Sequence, residues 1–231
     1  MEQRVQKLLS NYGVMSRRQA EVFIKQGRIK VNGNVIKIGD KATEKDKILV
    51  DDKPVNNEKR VYLIFNKPVG CVTALTDKQF RTIMHYIHIK ERVFPIGRLD
   101  HDTSGLLLLT NDGDFANSIM HPRYEINKTY FVQVDASISD TDLRKIEKGI
   151  TLEEGKTSPA KTIQVAQNSV EITIHEGKKR IIKRMFSELG YKVISLQRIR
   201  VGNLELGDLP VGEYRNLTDA DKKKIFEKTK P

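Results

Sequence analysis

The chain has 231 residues, and its 41 lysines and arginines outnumber its 30 aspartates and glutamates, for a net charge of +11. With 38% hydrophobic residues it can bury a core, which excludes a wholly disordered protein. A lone cysteine, Cys71, excludes an internal disulfide and a cysteine-rich zinc site. The apolar runs of the chain, such as the four leucines at 106–109, are much shorter than the roughly 18 residues of a membrane span. The N-terminus has no apolar signal core, so we expect a cytoplasmic protein without a membrane partner. The charge excess favours a polyanionic partner such as nucleic acid, although high solubility alone would also explain it.

The first 58 residues are predicted to form a small domain of two helices and a hairpin. Apolar residues recur at helical spacing within 3–12, and Ser16 with Gln19 forms a capping pattern that starts a second helix at Arg17. Gly27 is placed to end that helix, and the pair at 32–33, Asn-Gly, predicts a tight hairpin turn. A polar, turn-prone stretch at 56–60 is the expected linker.

This first domain is also basic. Residues 1–60 contain 14 basic and 8 acidic side chains. Arg17 and Arg18 lie at the start of the second helix, and Arg28 and Lys30 lie just beyond its end. All four could contact phosphates without reading base sequence, but a solvated polar face is an equally simple interpretation.

Residues 59–231 are predicted to form a second domain that mixes strands and helices. The expected strands are 61–65, 105–110, 129–135, 170–175 and 193–201. The expected helices are 79–87, 114–120, 140–148, 180–189 and a short one after Thr218. The fold class is therefore α+β.

The segment PIGRLDHDTSG at 95–105 is the most unusual part of this domain, because it places two acids and an arginine before the four leucines. Four consecutive leucines indicate a buried strand. A carboxylate at the edge of such a strand is partly desolvated and needs a cation or hydrogen-bond donors to stay charged. One carboxylate of this loop is therefore a candidate functional acid, but local chemistry alone favours a structural turn in which Asp100 or Asp102 bonds backbone amides.

A second segment, residues 176–186, runs from a strand into a helix and is strongly basic. Lys183 follows Arg180 by three residues, so both share a helical face. The alternative is a basic surface helix. The five basic residues of this segment are Lys178, Lys179, Arg180, Lys183 and Arg184.

Other chemistries find little support. The phosphate-binding GxxxxGK[ST] loop, the GxSxG nucleophile elbow and the GxGxxG dinucleotide loop are all missing from the sequence. His85 and His88 lie close together, but no cysteine or third ligand is near, so we interpret them as helix residues. Tyr130, in the segment NKTYFV, would on its own be an ordinary core or interface residue.

Taken in order, these segments resemble the bacterial RsuA/RluB family of ribosomal RNA pseudouridine synthases. SRRQAE at 16–21 and GRIKVNG at 27–33 resemble the RNA-binding domain named after ribosomal small-subunit protein four. FNKPVG at 65–70, GRLDHDTSGLLLLTNDG at 97–113, HPR at 121–123, KTY at 128–130 and the basic segment resemble the catalytic domain. The chain departs from the family pattern at Ile181, where glutamine is usual, and at Lys183, where arginine is commoner.

The resemblance implies that Asp100 is the essential carboxylate of an isomerisation that needs neither a metal nor a cofactor. It implies that Lys183 pairs with Asp100 and that Tyr130 packs on the target uracil. Arg98 would fill the space left by the flipped nucleotide, and Leu196 would lie against the base. We expect further RNA contacts from Lys67 and from the basic residues at 178–180 and 184.

The implied architecture is a small RNA-binding domain tethered to a catalytic domain with a bent, mostly antiparallel mixed sheet flanked by helices. The implied partner is ribosomal RNA of the small or large subunit, free or within an assembling subunit, bound by a monomer. The alternative is a non-catalytic rRNA-binding or ribosome-assembly factor on the same scaffold.

Overall fold

The computed structural model describes residues 2–55 and 59–227. The chain divides into two compact units. The first comprises Met1–Tyr62, His88–Phe94 and Leu109–Asn117, and the second comprises Leu63–Ile87, Pro95–Leu108 and Ser118–Pro231. Residues 56–58 of the expected linker lie outside the described residues, and the boundary between 58 and 59 stays a prediction.

The first 55 residues of the first unit contain two helices and six short strands. Its elements are β1 (Gln3–Arg4), α1 (Val5–Asn11), α2 (Arg17–Lys25), β2 (Ile29–Val31), β3 (Asn34–Val35), β4 (Lys41–Ala42), β5 (Ile48–Val50) and β6 (Lys53–Pro54). Strands β3, β2, β5 and β6 form an antiparallel sheet in that order, and β1 pairs with β4. Buried apolar residues of both helices and β2 form the core, among them Leu8, Leu9 and Ile29.

Local signals in this unit behave as predicted. The Ser16 hydroxyl accepts a hydrogen bond from the Gln19 amide at 3.1 Å and starts α2. Asn32 and Gly33 have φ values of 52° and 87°. Positive φ at both central positions is what the tight turn between β2 and β3 requires.

The remaining elements are centred on one large sheet. They are β7 (Tyr62–Lys67), β8 (Phe94–Ile96), β9 (Ser104–Thr110), α3 (Gly113–Met120), β10 (Lys128–Val134), α4 (Asp140–Lys148), β11 (Thr151–Leu152), β12 (Gly155–Lys156), β13 (Lys161–Ala166), β14 (Ser169–Ile174), α5 (Ile181–Glu188), β15 (Val193–Val201), β16 (Leu204–Glu205), β17 (Tyr214–Asn216) and α6 (Asp219–Phe226). Short 3₁₀ turns occur at Ile83–His85 and Pro122–Tyr124. None of the helices within 2–55 and 59–227 is both long and apolar enough to cross a membrane.

The nine-stranded sheet has the order β13-β14-β10-β15-β9-β7-β17, with β8 beside β9 and β16 beside β15. Strand β10 runs antiparallel to β14 and β15, whereas β15 runs parallel to β9. Apolar residues of β10, β14, β15, α4 and α5 pack into a single core. The α+β class and the mixed, mostly antiparallel sheet are thus confirmed.

One predicted helix, 79–87, is wrong. The Asp77 carboxylate accepts the amides of Gln79 and Phe80, both at 2.9 Å, so this segment forms a side-chain-capped turn. Thr82 then forms an isolated bridge with Val72. Only the short 3₁₀ turn that follows is helical.

Candidate active site

Asp100 lies in a short loop between β8 and β9, and the segment after β7 holds that loop. The Thr73 hydroxyl donates to the Leu99 carbonyl at 2.6 Å and accepts from the Leu99 amide at 3.2 Å. The Gly70 amide donates to the His101 carbonyl at 2.9 Å. Residues on both sides of Asp100 are therefore fixed by the chain that follows β7.

Lys67 is the centre of this arrangement. Its side chain is fully buried, and its ammonium donates to the carbonyls of Pro68 at 2.9 Å, Asp100 at 3.1 Å and Thr103 at 2.9 Å. The RNA contact predicted for Lys67 is not available in this structure, because the ammonium is buried and bonded to three carbonyls. Lys67 positions the backbone of the Asp100 loop instead.

Gly105 lets the first residues of β9 approach β15 closely. Its φ is +102°, and a Cβ there would lie 2.3 Å from the Arg198 carbonyl oxygen. Only glycine tolerates both conditions. The register places Gly105, Arg198 and Tyr130 in one row across β9, β15 and β10. Tyr130 thus lies two strands away from the strand that Asp100 precedes.

The ion pair expected between Asp100 and Lys183 is not formed in the structure. The Lys183 ammonium lies 2.6 Å from a carboxylate oxygen of Asp102, and the Arg180 guanidinium lies 3.4 Å from the same side chain. Among residues 2–55 and 59–227, no side chain forms an ion pair with Asp100, which is half-buried. The acid two residues after Asp100 therefore holds the cation that the resemblance assigned to Asp100.

The electrostatics of the loop are those of a small mixed-charge cluster. Burial acts to raise the pKa of Asp102, but the hydrogen bond and charge of Lys183, helped by Arg180, outweigh it and lower that pKa overall. Burial lowers the pKa of Lys67, and Cys71, followed by Asp100 and Asp102, opposes that shift. Both carboxylates thus lie in the field of nearby cations.

Lys128, the first residue of the KTY segment, is a half-buried lysine. Its ammonium donates to the carbonyls of Ile126 at 2.8 Å and His175 at 3.0 Å. Burial, with repulsion from Arg198, lowers its pKa to about 8. The contact with His175 ties the start of β10 to the chain that enters the basic segment.

Most of the basic segment is paired with acids. Arg184 bonds Glu154 through both terminal nitrogens, and Lys178 lies 3.1 Å from Glu176. Lys179 is exposed and forms no ion pair within the part of the chain that the structure describes. Its availability to RNA is therefore greater than that of its basic neighbours.

The basic residues of the first unit divide in the same way. Arg28 bonds Asp51 through two nitrogens, at 2.7 and 2.6 Å, and Lys30 lies 2.6 Å from Asp52. Arg17 and Arg18 are exposed at the start of α2. Within 2–55 and 59–227 neither of these two arginines has an ion-pair partner, so both are available to phosphates.

The last two candidates differ in exposure. Arg98 is exposed two residues before Asp100, where it could contact RNA. Leu196 is only 6% exposed and belongs to the core of the sheet. The base contact predicted for Leu196 is not available in this structure, because the side chain faces its apolar neighbours.

Sequence reasoning missed the roles of Asp102, Gly105 and Lys128. The signal for Asp102 was present, because a second carboxylate two residues after the first competes for the same cation. Lys128 gave no signal of burial, since a lysine at the start of a strand is ordinarily exposed. No three His, Cys, Asp or Glu side chains among the described residues are grouped as a metal site would require.

Comparison with known proteins decides the family. Residues 61–188 match the RNA pseudouridylate synthase family, and residues 3–48 match the S4 domain. The chain belongs to the RNA pseudouridylate synthase family. It is an enzyme of that family with an S4 domain before the catalytic part, as the resemblance implied.

Relatives of this synthase match it over nearly its whole length. It is 45% identical to a Bacillus subtilis (strain 168) protein named ribosomal large subunit pseudouridine synthase B, over 96% of this chain and 95% of the relative. It is 36% identical to the dual-specificity RNA pseudouridine synthase RluF of Salmonella typhi, over 97% of this chain and 78% of the relative. A solved structure, "Crystal structure of pseudouridylate synthase", is 34% identical, covers 96% of this chain and 99% of its own, and has a TM-score of 0.73.

Proposed function

We propose that this pseudouridine synthase isomerises a specific uridine in ribosomal RNA, with Asp100 as the catalytic carboxylate. The observation that carries the assignment to Asp100 is the contrast between the two acids of the loop. Asp102 is occupied by Lys183 and Arg180, whereas the carboxylate of Asp100 has no ion-pair partner among the described residues. Lys67 holds the Asp100 backbone in place. A positioned acid without a partner is available to the substrate.

The reaction breaks the bond between uracil N1 and ribose C1′, rotates the base, and joins C5 to C1′. The proton on C5 then leaves to solvent and N1 takes up a proton from solvent, so atoms and charge balance without a redox step. The target base must leave its stack before Asp100 can reach the glycosidic bond. We propose that Tyr130 packs on that base and that Lys183, held by Asp102, supplies positive charge beside the reacting acid.

RNA binding is proposed to use those predicted RNA-contacting cations that form no ion pair among the described residues: Arg17, Arg18, Arg98 and Lys179. The ion pairs of Arg28, Lys30, Lys178, Arg180 and Arg184 involve exposed or half-exposed cations and are weak enough for phosphates to compete with them. The name of the Bacillus subtilis relative supports large-subunit rRNA as the substrate. An enzyme of bacterial rRNA works in the cytoplasm, and we propose that location.

The test compares two isosteric variants in one loop. Asp100→Asn should abolish tritium release from rRNA labelled at uracil C5, while Asp102→Asn, which frees Lys183, should retain measurable release. Filter binding should show unchanged RNA affinity for both. Release by Asp100→Asn at the wild-type rate would refute the assignment, and the opposite pattern would transfer the role to Asp102. A wild-type chain that binds rRNA without tritium release would favour the non-catalytic alternative.

The substrate itself is tested in cells. Pseudouridines should be mapped in both rRNAs of a strain that lacks this gene, and one site in the large-subunit rRNA should disappear. Loss of a small-subunit site would refute the large-subunit assignment, and an unchanged map would refute rRNA as the substrate.

A further inference from the structure

Phe80 is a large aromatic side chain that the fold leaves in solvent beside the candidate active site. It is 50% exposed, and its ring packs edge-on against His101 with centroids 5.2 Å apart. His101 follows Asp100 directly and is itself exposed. The sequence suggested no role for this segment beyond a helix, which the structure does not contain.

The position of Phe80 is fixed by its own turn and by the Asp100 loop. The Asp77 carboxylate caps the turn through the Phe80 amide. The Arg81 carbonyl accepts a hydrogen bond from the Val72 amide at 2.9 Å. The next residue, Thr73, bonds Leu99 through its hydroxyl. Hydrogen bonds therefore tie the segment that carries Phe80 to the loop that carries Asp100, in addition to the aromatic contact.

The surroundings of Phe80 suit an anionic partner with flat, apolar faces. Lys78 and Arg81 flank it, and both are exposed. Within 2–55 and 59–227 neither of the two forms an ion pair. Val69, in the segment that bonds His101, is also 61% exposed. Aromatic rings beside free cations are the features with which proteins bind unstacked bases of RNA.

We propose that Phe80 and His101 form a stacking surface for a nucleotide next to the target uridine. This inference rests on the proposed role of Asp100. Flipping the target out of its stack leaves the neighbouring base without a partner on one face, which costs free energy. The Phe80 ring, which packs against the residue that follows Asp100, can replace that lost stacking partner. Lys78 and Arg81 would then contact the adjoining phosphates.

The test uses side-chain replacements that separate stacking from apolar contact. Enzyme concentration is varied against C5-tritiated rRNA from the gene-deleted strain under single-turnover conditions. Phe80→Ala and Phe80→Leu should raise the half-saturating concentration about tenfold, since base–aromatic stacking is worth roughly 1–3 kcal/mol. Phe80→Trp should stay within about twofold of wild type. The maximum rate should change little, because the contact is made before chemistry. Ile163→Ala, which removes another exposed apolar side chain, is the matched control.

A second measurement locates the stacked base. Short RNAs that span the mapped target carry an abasic site on its 5′ or its 3′ side. When the abasic site replaces the stacked base, the half-saturating concentration of wild type should rise by the same factor as Phe80→Ala causes on intact RNA. The half-saturating concentration of Phe80→Ala should not rise further on that abasic RNA. Equal function of Phe80→Leu and wild type, or additive losses at both flanks, would overturn the inference. If either of these outcomes is seen while Asp100→Asn is inactive, the stacking inference fails and the proposed function stands. If Asp100→Asn is active, the proposed function itself is refuted.

Discussion

Replacing Lys67 with methionine should damage catalysis more than any loss of RNA affinity would explain. The change keeps the length of the buried side chain and removes the ammonium that bonds the carbonyls of Pro68, Asp100 and Thr103. The Asp100 carbonyl retains a second donor, the Thr103 amide at 3.1 Å. The carbonyls of Pro68 and Thr103 therefore lose their main hydrogen-bond donor.

The magnitude follows from opposing contributions. Each buried carbonyl left without a partner costs about 1–3 kcal/mol, while removing a desolvated ammonium returns part of that cost. A net loss of roughly 2–4 kcal/mol in the free energy of unfolding is expected. In a chain of this size that lowers the melting temperature by about 4–16 °C.

The assay separates positioning from stability. At a temperature where Lys67→Met is fully folded, the single-turnover rate of tritium release should fall at least tenfold, because the Asp100 backbone is no longer held. Lys128→Met is the matched control, since it also removes from backbone carbonyls the ammonium of a half-buried lysine. It should lose comparable stability with a smaller loss of rate. A folded Lys67→Met with the wild-type rate would refute the positioning role.

Three further predictions concern other parts of the chain. Gly105→Ala should lower the free energy of unfolding, measured in urea, by about 3–5 kcal/mol, because it adds a backbone clash to the strain of positive φ. Gly155→Ala, with φ +114° and open space around the new Cβ, should lower it by about 1–2 kcal/mol. Equal losses would contradict the close approach of β9 and β15. Lys128 has a folded-state pKa lowered to about 8, so wild-type stability should rise from pH 8 to pH 10.5 relative to Lys128→Met; parallel pH profiles would rule this out. Removing both Arg17 and Arg18 should reduce the slope of the logarithm of the RNA-binding constant against the logarithm of salt concentration by about two, with an unchanged maximum rate. An unaltered slope would show that neither arginine contacts phosphate.

Local sequence signals predicted most of the secondary structure because they act over a few residues. The Ser16 cap, the turn at 32–33 and the four leucines of β9 all formed as expected. The helix predicted at 79–87 failed because Asp77 competes for the backbone amides that a helix would need. That competition is local, so the presence of Asp77 two and three residues before these amides could have predicted it from the sequence.

The site was harder to predict, because partners distant in sequence decide it. Lys67 and Asp100 are 33 residues apart, and only the fold shows that one is buried beneath the backbone of the other. The choice of Lys183 between two acids likewise depends on side-chain placement, which spacing alone does not fix. The family resemblance identified the segments correctly, but the ion pair that it implied between Lys183 and Asp100 is formed with Asp102 in the structure.

The division into two units has a practical consequence for dissecting this enzyme. The chain passes between the units five times, since 88–94 and 109–117 belong with residues 1–62. A truncation near residue 60 would therefore leave two segments of the first unit attached to the second, without the neighbours that cover them. Point substitutions such as those at Arg17 and Arg18 are the sounder way to separate binding from chemistry, and a protease cut at 56–60 should not release two independently folded fragments.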